Sequence, residues 1–206
     1  MHEVFEIRLF HKQDAEQVAQ LFHQTVREIN IRDYSNAQIQ AWAPEDIYFR
    51  NWAEICSARH TFVADAAGTI IGFGELEANG HIDCFYVHKS YQRCGVGNQI
   101  YQAIEAKALE IGLNRLFAEV SITAKPFFQR MGFSTVKEQQ VARRGERFTN
   151  YVMEKFLDWA FDCDRTNPNL TMNQDVIVMV TQGLSHGLFC IRSALPLAQR
   201  SCPLDT

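Results

Sequence analysis

"FYVHKSYQRCGVG", Phe85 to Gly97, is the stretch on which the reading of this chain turns. An apolar run gives way to a short polar, basic segment, passes Gly95 and Gly97 on either side of Val96, and continues as a helical pattern. A strand that feeds a helix through so pliant a turn leaves the amides of Arg93 to Gly97 near the unpaired first-turn positions, where they can converge on an anion. Glycine there lets the backbone approach a ligand with no Cβ in the way, and Arg93 adds charge outside the cradle. The expected occupant is phosphate-sized, and a pyrophosphate fits better than a single carboxylate. No Gly-Lys-Ser or Gly-Lys-Thr follows and no GxGxxG is present, so neither a nucleoside triphosphate nor a dinucleotide is favoured.

Working outward, His81 to Val87 reads as a strand entering this turn and Gly97 to Ile111 as a helix leaving it, with Ile100, Ile104, Ala108 and Leu109 on one stripe and Gly112 as the stop. Upstream, Thr61 to Ala66 and Ile70 to Glu77 flank "DAAGT" as a hairpin, so three strands follow in an antiparallel meander. Before them, Val4 to Phe10 reads as a strand and Asp14 to Asn30 as an amphipathic helix. Ser35 and Gln38 form a capping box for a short helix ending before Pro44, and a further short helix is expected over Pro44 to Cys56. Downstream come strand Arg115 to Val120, helix Ala124 to Met131, and strands Phe133 to Val141 and Phe148 to Phe156 around "ARRGER", a turn expected to be solvated. That order predicts an α/β (α+β mixed sheet) domain with helices on both faces, the strands flanking helix Gly97 to Ile111 being parallel neighbours.

The domain is expected to be complete over residues 1–157, with residues 158–206 as a C-terminal extension of different texture: a polar segment, then "VIVMV" and "GLFCI" around "TQGLSHG". A net charge of -4 speaks against nucleic acid or an anionic membrane as partner. No run of about 18 apolar residues suggests a transmembrane helix. The N-terminus does not read as a signal peptide, so a cytoplasmic location is expected. Six cysteines without ligand-like spacing imply free thiols and no metal. The chain is expected to act as a monomer or homodimer.

"YVHKSYQRCGVG" resembles the acetyl-coenzyme-A signature of the GCN5-related N-acetyltransferase (GNAT) superfamily: Gln or Arg, two residues, Gly, any residue, Gly or Ala, matched at Gln92, Arg93, Gly95 and Gly97. "SITAKPFFQRMGF" is similar to that superfamily's late motif at Ala124, Phe127, Phe128, Gly132 and Phe133, and "IRDYSNAQIQAWAP" is similar to a bacterial subgroup of small acetyltransferases. The resemblance covers Val4 to Lys155 and implies a GNAT-like fold whose central sheet splays beside the coenzyme. Acetyl-CoA would lie against Phe85, Tyr86 and Val87, with its diphosphate on Gln92, Arg93, Cys94, Gly95, Val96 and Gly97 and its arm packed by Phe128. The implied reaction is transfer of the acetyl group to a small-molecule primary amine by direct attack. A peptide or protein acceptor, or a non-catalytic acyl-CoA-binding module, are the alternatives.

Direct attack requires a base for the amine, a donor for the oxyanion and a fate for the thiolate. His81 is one candidate base, because an imidazole's ordinary pKa near 6.5 suits the task. Asp83, at an ordinary value near 3.9, would need a raised pKa or a water relay, and Glu75 on the preceding strand is the third candidate. In a regular strand His81, Asp83 and Phe85 share one face and Ile82, Cys84 and Tyr86 the other, so Cys84 reads as a core thiol and not an acetyl carrier. Many members carry a tyrosine where this chain has Phe128, so the usual proton donor to the thiolate is missing; Tyr86 and Tyr91 are possible substitutes. Arg32, Asp33, Tyr34 and Trp42 form either an acceptor-pocket wall or a loop salt bridge and a core indole.

Overall fold

The computed structural model describes residues 4–157; the expectation for 158–206 lies outside the described residues. Seven strands and five α-helices follow in the order β1 (Glu6–Leu9), α1 (Ala15–Glu28), α2 (Asn36–Trp42), α3 (Trp52–Ser57), β2 (His60–Ala66), β3 (Thr69–Leu76), β4 (Ile82–Val87), α4 (Val96–Glu110), β5 (Arg115–Ser121), α5 (Lys125–Arg130), β6 (Ser134–Arg143) and β7 (Glu146–Phe156). The expected capping box opens α2: Ser35 Oγ accepts from the Gln38 amide at 3.2 Å while Gln38 Oε1 accepts from the Ser35 amide at 2.8 Å. The helix expected over Pro44 to Cys56 is shorter. Asp46 turns the chain by accepting from the Tyr48 amide at 2.9 Å, and Asn51 supplies the cap from which α3 starts.

The strands form two antiparallel sheets, β1-β2-β3-β4 and β5-β7-β6. Between them the described residues make a single parallel bridge, His81 with Phe117, in which the Phe117 amide donates to the Gly80 carbonyl at 3.0 Å. β4 and β5 are thus parallel neighbours at their starts and part beyond, with α4 as the crossover.

Apolar side chains fill both faces. α4 lays Val96, Ile100 and Ile104 on one, against Ile71, Leu76 and Leu116; α1 and α3 cover the other with Val18, Phe22 and Trp52 against Val63, Phe73 and Phe148. The helix lies close because β3 presents glycine under it. A Cβ on Gly74 would stand 2.8 Å from Ile104 Cδ1, 2.9 Å from Ile100 Cγ2 and 3.0 Å from Phe85 Cδ2. Gly74→Val should therefore cost about 1–3 kcal/mol of overpacking, read as a fall in Tm of about 3–10 °C in thermal unfolding. An unchanged Tm would mean that α4 is not held by this contact.

Candidate functional site

The site is the gap between β4 and β5 and the turn at its open end. β4 spends one backbone edge on β3, with Gly72 opposite Val87, Phe73 opposite Tyr86 and Gly74 opposite Phe85, and the His88 amide donates to the Ile71 carbonyl at 2.9 Å. Antiparallel pairing alternates, so Tyr86 and His88 direct their N–H and C=O at β3, while those of Phe85 and Val87 face the gap. Phe85 and Val87 thus offer the backbone expected of them. Tyr86 does not: its peptide is engaged by β3 and its ring lies on the α1 side, against Phe22 and Phe73 at 5.0 and 5.6 Å between centroids.

At the open end the short 3-10 turn Lys89–Tyr91 leads to Arg93 and Gly95, at φ 63° and 87°, and α4 begins at Val96. The Gln99 amide is the first to bond back into the helix, to the Gly95 carbonyl at 3.1 Å, leaving the amides of Gly95, Val96, Gly97 and Asn98 without a partner among the described residues. Arg93 is likewise free, but Cys94 departs from the expected set: its amide turns back to the Tyr91 carbonyl at 3.4 Å, and its Sγ rests on the Gln92 carbonyl at 3.6 Å. Gln92 and Arg93 are exposed. Gly97 is needed for space, since a Cβ there would meet Phe127 Cε2 at 3.2 Å. Phe127 is the late-motif ring beside the turn. Phe128, expected against the coenzyme arm, is 3% exposed and enclosed by Phe85, Phe127 and Phe133.

The other end of the gap is charged. Gly74 pairs with Phe85 and Leu76 with Ile82, so Glu75 on β3 faces two residues, Asp83 and Cys84, on β4. This bulge overturns the regular alternation expected of the strand. It sets Ile82 on the α4 face with Phe85 and brings carboxylate and sulfur atoms of Glu75, Asp83 and Cys84 within 4.8 Å of one another. Two arginines compensate them. Arg50 Nη2 reaches Glu75 at 2.9 Å and Asp83 at 3.1 Å, with Nη1 donating to Cys84 Sγ at 3.2 Å; Arg59 binds Glu75 at 2.5 Å, Glu77 at 2.5 Å and Asp83. These guanidiniums make the trio a poor metal site.

Burial opposes charge on Asp83, but the Arg59 hydrogen bond and the Arg50 and Arg59 charges prevail, so its pKa falls below the ordinary carboxylate value. That is the wrong direction for a base. Glu75 is 0% exposed beneath both arginines. Burial first, and then the Glu75 charge, pushes the Cys84 thiol well above its ordinary value, which fits an inert core thiol. His81 stands at the vertex: its ring stacks on Phe117 at 5.0 Å, with Nε2 2.6 Å from Glu119 Oε2 and Nδ1 3.3 Å from Glu77 Oε2.

The suggested acceptor wall is dispersed. Tyr34 is 5% exposed; its hydroxyl donates to the Thr149 carbonyl and accepts from the Ile122 amide, both at 3.0 Å, and its ring meets Trp42 edge-on at 5.3 Å. Tyr34 is thus a strut tying the loop after α1 to β5 and β7, and Trp42 packs beside it. Asp33 accepts from Thr123 Oγ1 at 2.7 Å, and Arg32 is exposed. "ARRGER" is docked and not merely solvated, because Arg144 donates to the Ala41 carbonyl at 2.8 Å and lies over the Phe49 ring at 4.9 Å. Two surface hollows, about 390 Å³ beside His11, Cys56 and Arg59 and about 300 Å³ beside Tyr48, Arg50 and Trp52, include no residue of Phe85 to Gly97. Sequence reasoning passed over Arg50, Arg59 and Glu119, whose roles depend on partners far along the chain.

Residues 30–155 match the acetyltransferase (GNAT) domain model. The chain is similar to the uncharacterized N-acetyltransferase YafP of Escherichia coli (strain K12), 35% identical over 149 residues that span 72% of this chain and 93% of that protein. A crystal structure of a GCN5-related N-acetyltransferase from Rhodopseudomonas palustris superposes with a TM-score of 0.70 at 30% identity, covering 76% of this chain and 98% of that one. The PaiA N-acetyltransferase of Thermoplasma acidophilum, solved in complex with coenzyme A, shares the fold with a TM-score of 0.62 at 18% identity over 75% of this chain and 99% of its own.

Proposed function

The chain belongs to the acetyltransferase (GNAT) domain family, and from that premise we propose that it transfers the acetyl group of acetyl-CoA to the primary amine of a small molecule through a ternary complex. One observation carries the reading: the peptides of Phe85 and Val87 are not taken up by β3, and the turn that follows β4 ends in amides, Gly95 to Asn98, with no partner among the described residues. A pantetheine arm is an extended chain with two amides, and it can pair with that open strand edge as another strand would. Its diphosphate then meets the positive end of α4. The thioester is left near Phe85, above the charged vertex.

The amine attacks the acetyl carbon and gives up a proton toward the His81 end of the gap, since Asp83 and Glu75 are held by Arg50 and Arg59. Of the substitutes weighed for a proton donor to the thiolate, burial pushes the Tyr86 phenol well above its ordinary value, and Tyr91 packs at the turn. Phe128 has no proton to give. In the proposed step the thiolate leaves as the anion, with an ordinary thiol pKa of about 8.5, and takes its proton from water. A small acceptor is favoured over a polypeptide, and what supports this is that the β6–β7 turn is docked on Ala41 and Phe49 instead of standing open.

The test is coenzyme A release from acetyl-CoA across a panel of primary amines, with acetyl-CoA affinity from calorimetry. Gly95→Val should raise the acetyl-CoA Kd tenfold or more with little loss of fold. A Cβ at Gly95 has open space, but φ of 87° strains a β-branched residue and turns the amides off the diphosphate. An unaltered Kd would remove the diphosphate cradle.

A further inference from the structure

We propose that Glu119 is the group that takes the proton of the attacking amine, and that His81 is the residue that positions it. This rests on the acetyl-transfer reading above and names the residue that reading leaves open. A carboxylate oxygen can only accept a hydrogen bond, so the 2.6 Å contact between His81 Nε2 and Glu119 Oε2 places the imidazole N–H toward Glu119. Nδ1 faces Glu77 Oε2 at 3.3 Å, and Glu77 is itself clamped by Arg59 at 2.5 Å. Both ring nitrogens of His81 are therefore engaged by carboxylates, and neither is left to take a proton from the gap.

Glu119 has the opposite disposition. Its side chain is 42% exposed, and its second carboxylate oxygen has no hydrogen-bond partner among the described residues. The bridge sets His81 level with Phe117, so Glu119 lies two residues, about 7 Å, further up the gap toward the thioester end. Leu116, Ala118 and Val120 face α4, and alternation sends Glu119 to the other face, where the amine would approach. Among the acidic groups of the vertex, Asp83, Glu75 and Glu77 each carry an arginine, and among the described residues Glu119 carries only the imidazole.

In the proposed step the amine nitrogen forms its bond to the acetyl carbon, one N–H proton passes to the free oxygen of Glu119, and the C–S bond breaks with its electron pair leaving on sulfur. Glu119 then returns the proton to water. The donated hydrogen bond from His81 Nε2 holds the carboxylate in place throughout.

Three variants separate the two assignments. Glu119→Gln should lower kcat/KM for the amine by about a hundred- to ten-thousandfold while the calorimetric Kd for acetyl-CoA stays within twofold. His81→Leu should also lose activity, by about tenfold or more, and His81→Gln, whose side-chain amide can still donate to Glu119, should recover to within tenfold of wild type. If His81→Gln is as inactive as His81→Leu while Glu119→Gln turns over at the wild-type rate, the imidazole is the base and the proposal falls. If the wild-type chain neither binds acetyl-CoA nor releases coenzyme A with any amine, the acetyl-transfer reading fails, and the proposal goes with it for a separate reason.

Discussion

Gly80→Ala should destabilise the domain by roughly 3 kcal/mol or more and weaken acetyl-CoA binding at the same time. Gly80 has φ of 91°, and a Cβ built on it would stand 2.2 Å from the Arg115 carbonyl oxygen, a backbone atom with no rotamer to escape through. Relief requires β5 to move away from the start of β4. That motion breaks the 3.0 Å bond from the Phe117 amide to the Gly80 carbonyl, the backbone bond that closes the vertex of the gap. Gly112 is the control: its φ is 81° and a Cβ there meets nothing within 4 Å, so Gly112→Ala carries the conformational cost alone, about 1 kcal/mol. Thermal unfolding and calorimetry on both variants read the difference. Equal losses in the two would mean that the clash is absent and that the vertex is not set by this residue.

Glu75→Gln should cost about 3–5 kcal/mol, the range for removing one partner from a buried ion cluster, seen as a fall in Tm of about 10 °C. Glu75 is 0% exposed, binds Arg50 and Arg59, and accepts from Cys56 Sγ at 3.4 Å; the neutral amide would leave two guanidiniums facing each other with Asp83 as their nearest counter-charge. The surviving folded protein should keep kcat within about tenfold, because a carboxylate sealed under two arginines does not reach the acceptor. A stable Glu75→Gln protein that has lost turnover would reverse this assignment and return Glu75 to the list of bases.

Both predictions depend on contacts that join distant parts of the chain, and this separates what was legible in the sequence from what was not. The glycine turn was legible because the cradle is local: strand, αL residues and helix start lie within Phe85 to Gly97, and backbone amides serve whatever the side chains are. The capping box at Ser35 and Gln38 and the meander of β2, β3 and β4 were legible for the same reason. The alternation of β4 was misread, since a bulge leaves no mark on the period-two pattern. Only the register against β3 shows Glu75 facing both Asp83 and Cys84. Tyr34 and Trp42 were ambiguous between pocket and core until Thr149, from the far hairpin, was found on the Tyr34 hydroxyl.

Residue identity and short-range geometry were enough to specify the family fold, the glycine turn ahead of α4 and the absence of a hydroxyl at Phe128. Which carboxylates are spent on arginines follows only from contacts between distant parts of the chain. Asp83, Glu75, Glu77 and Glu119 are equivalent acids in a linear reading, and what distinguishes them is the partner each one meets. Three face guanidiniums brought in from either side of α3, and the fourth faces an imidazole at the vertex of the gap; Coulomb attraction depends on those through-space distances and not on separation along the chain.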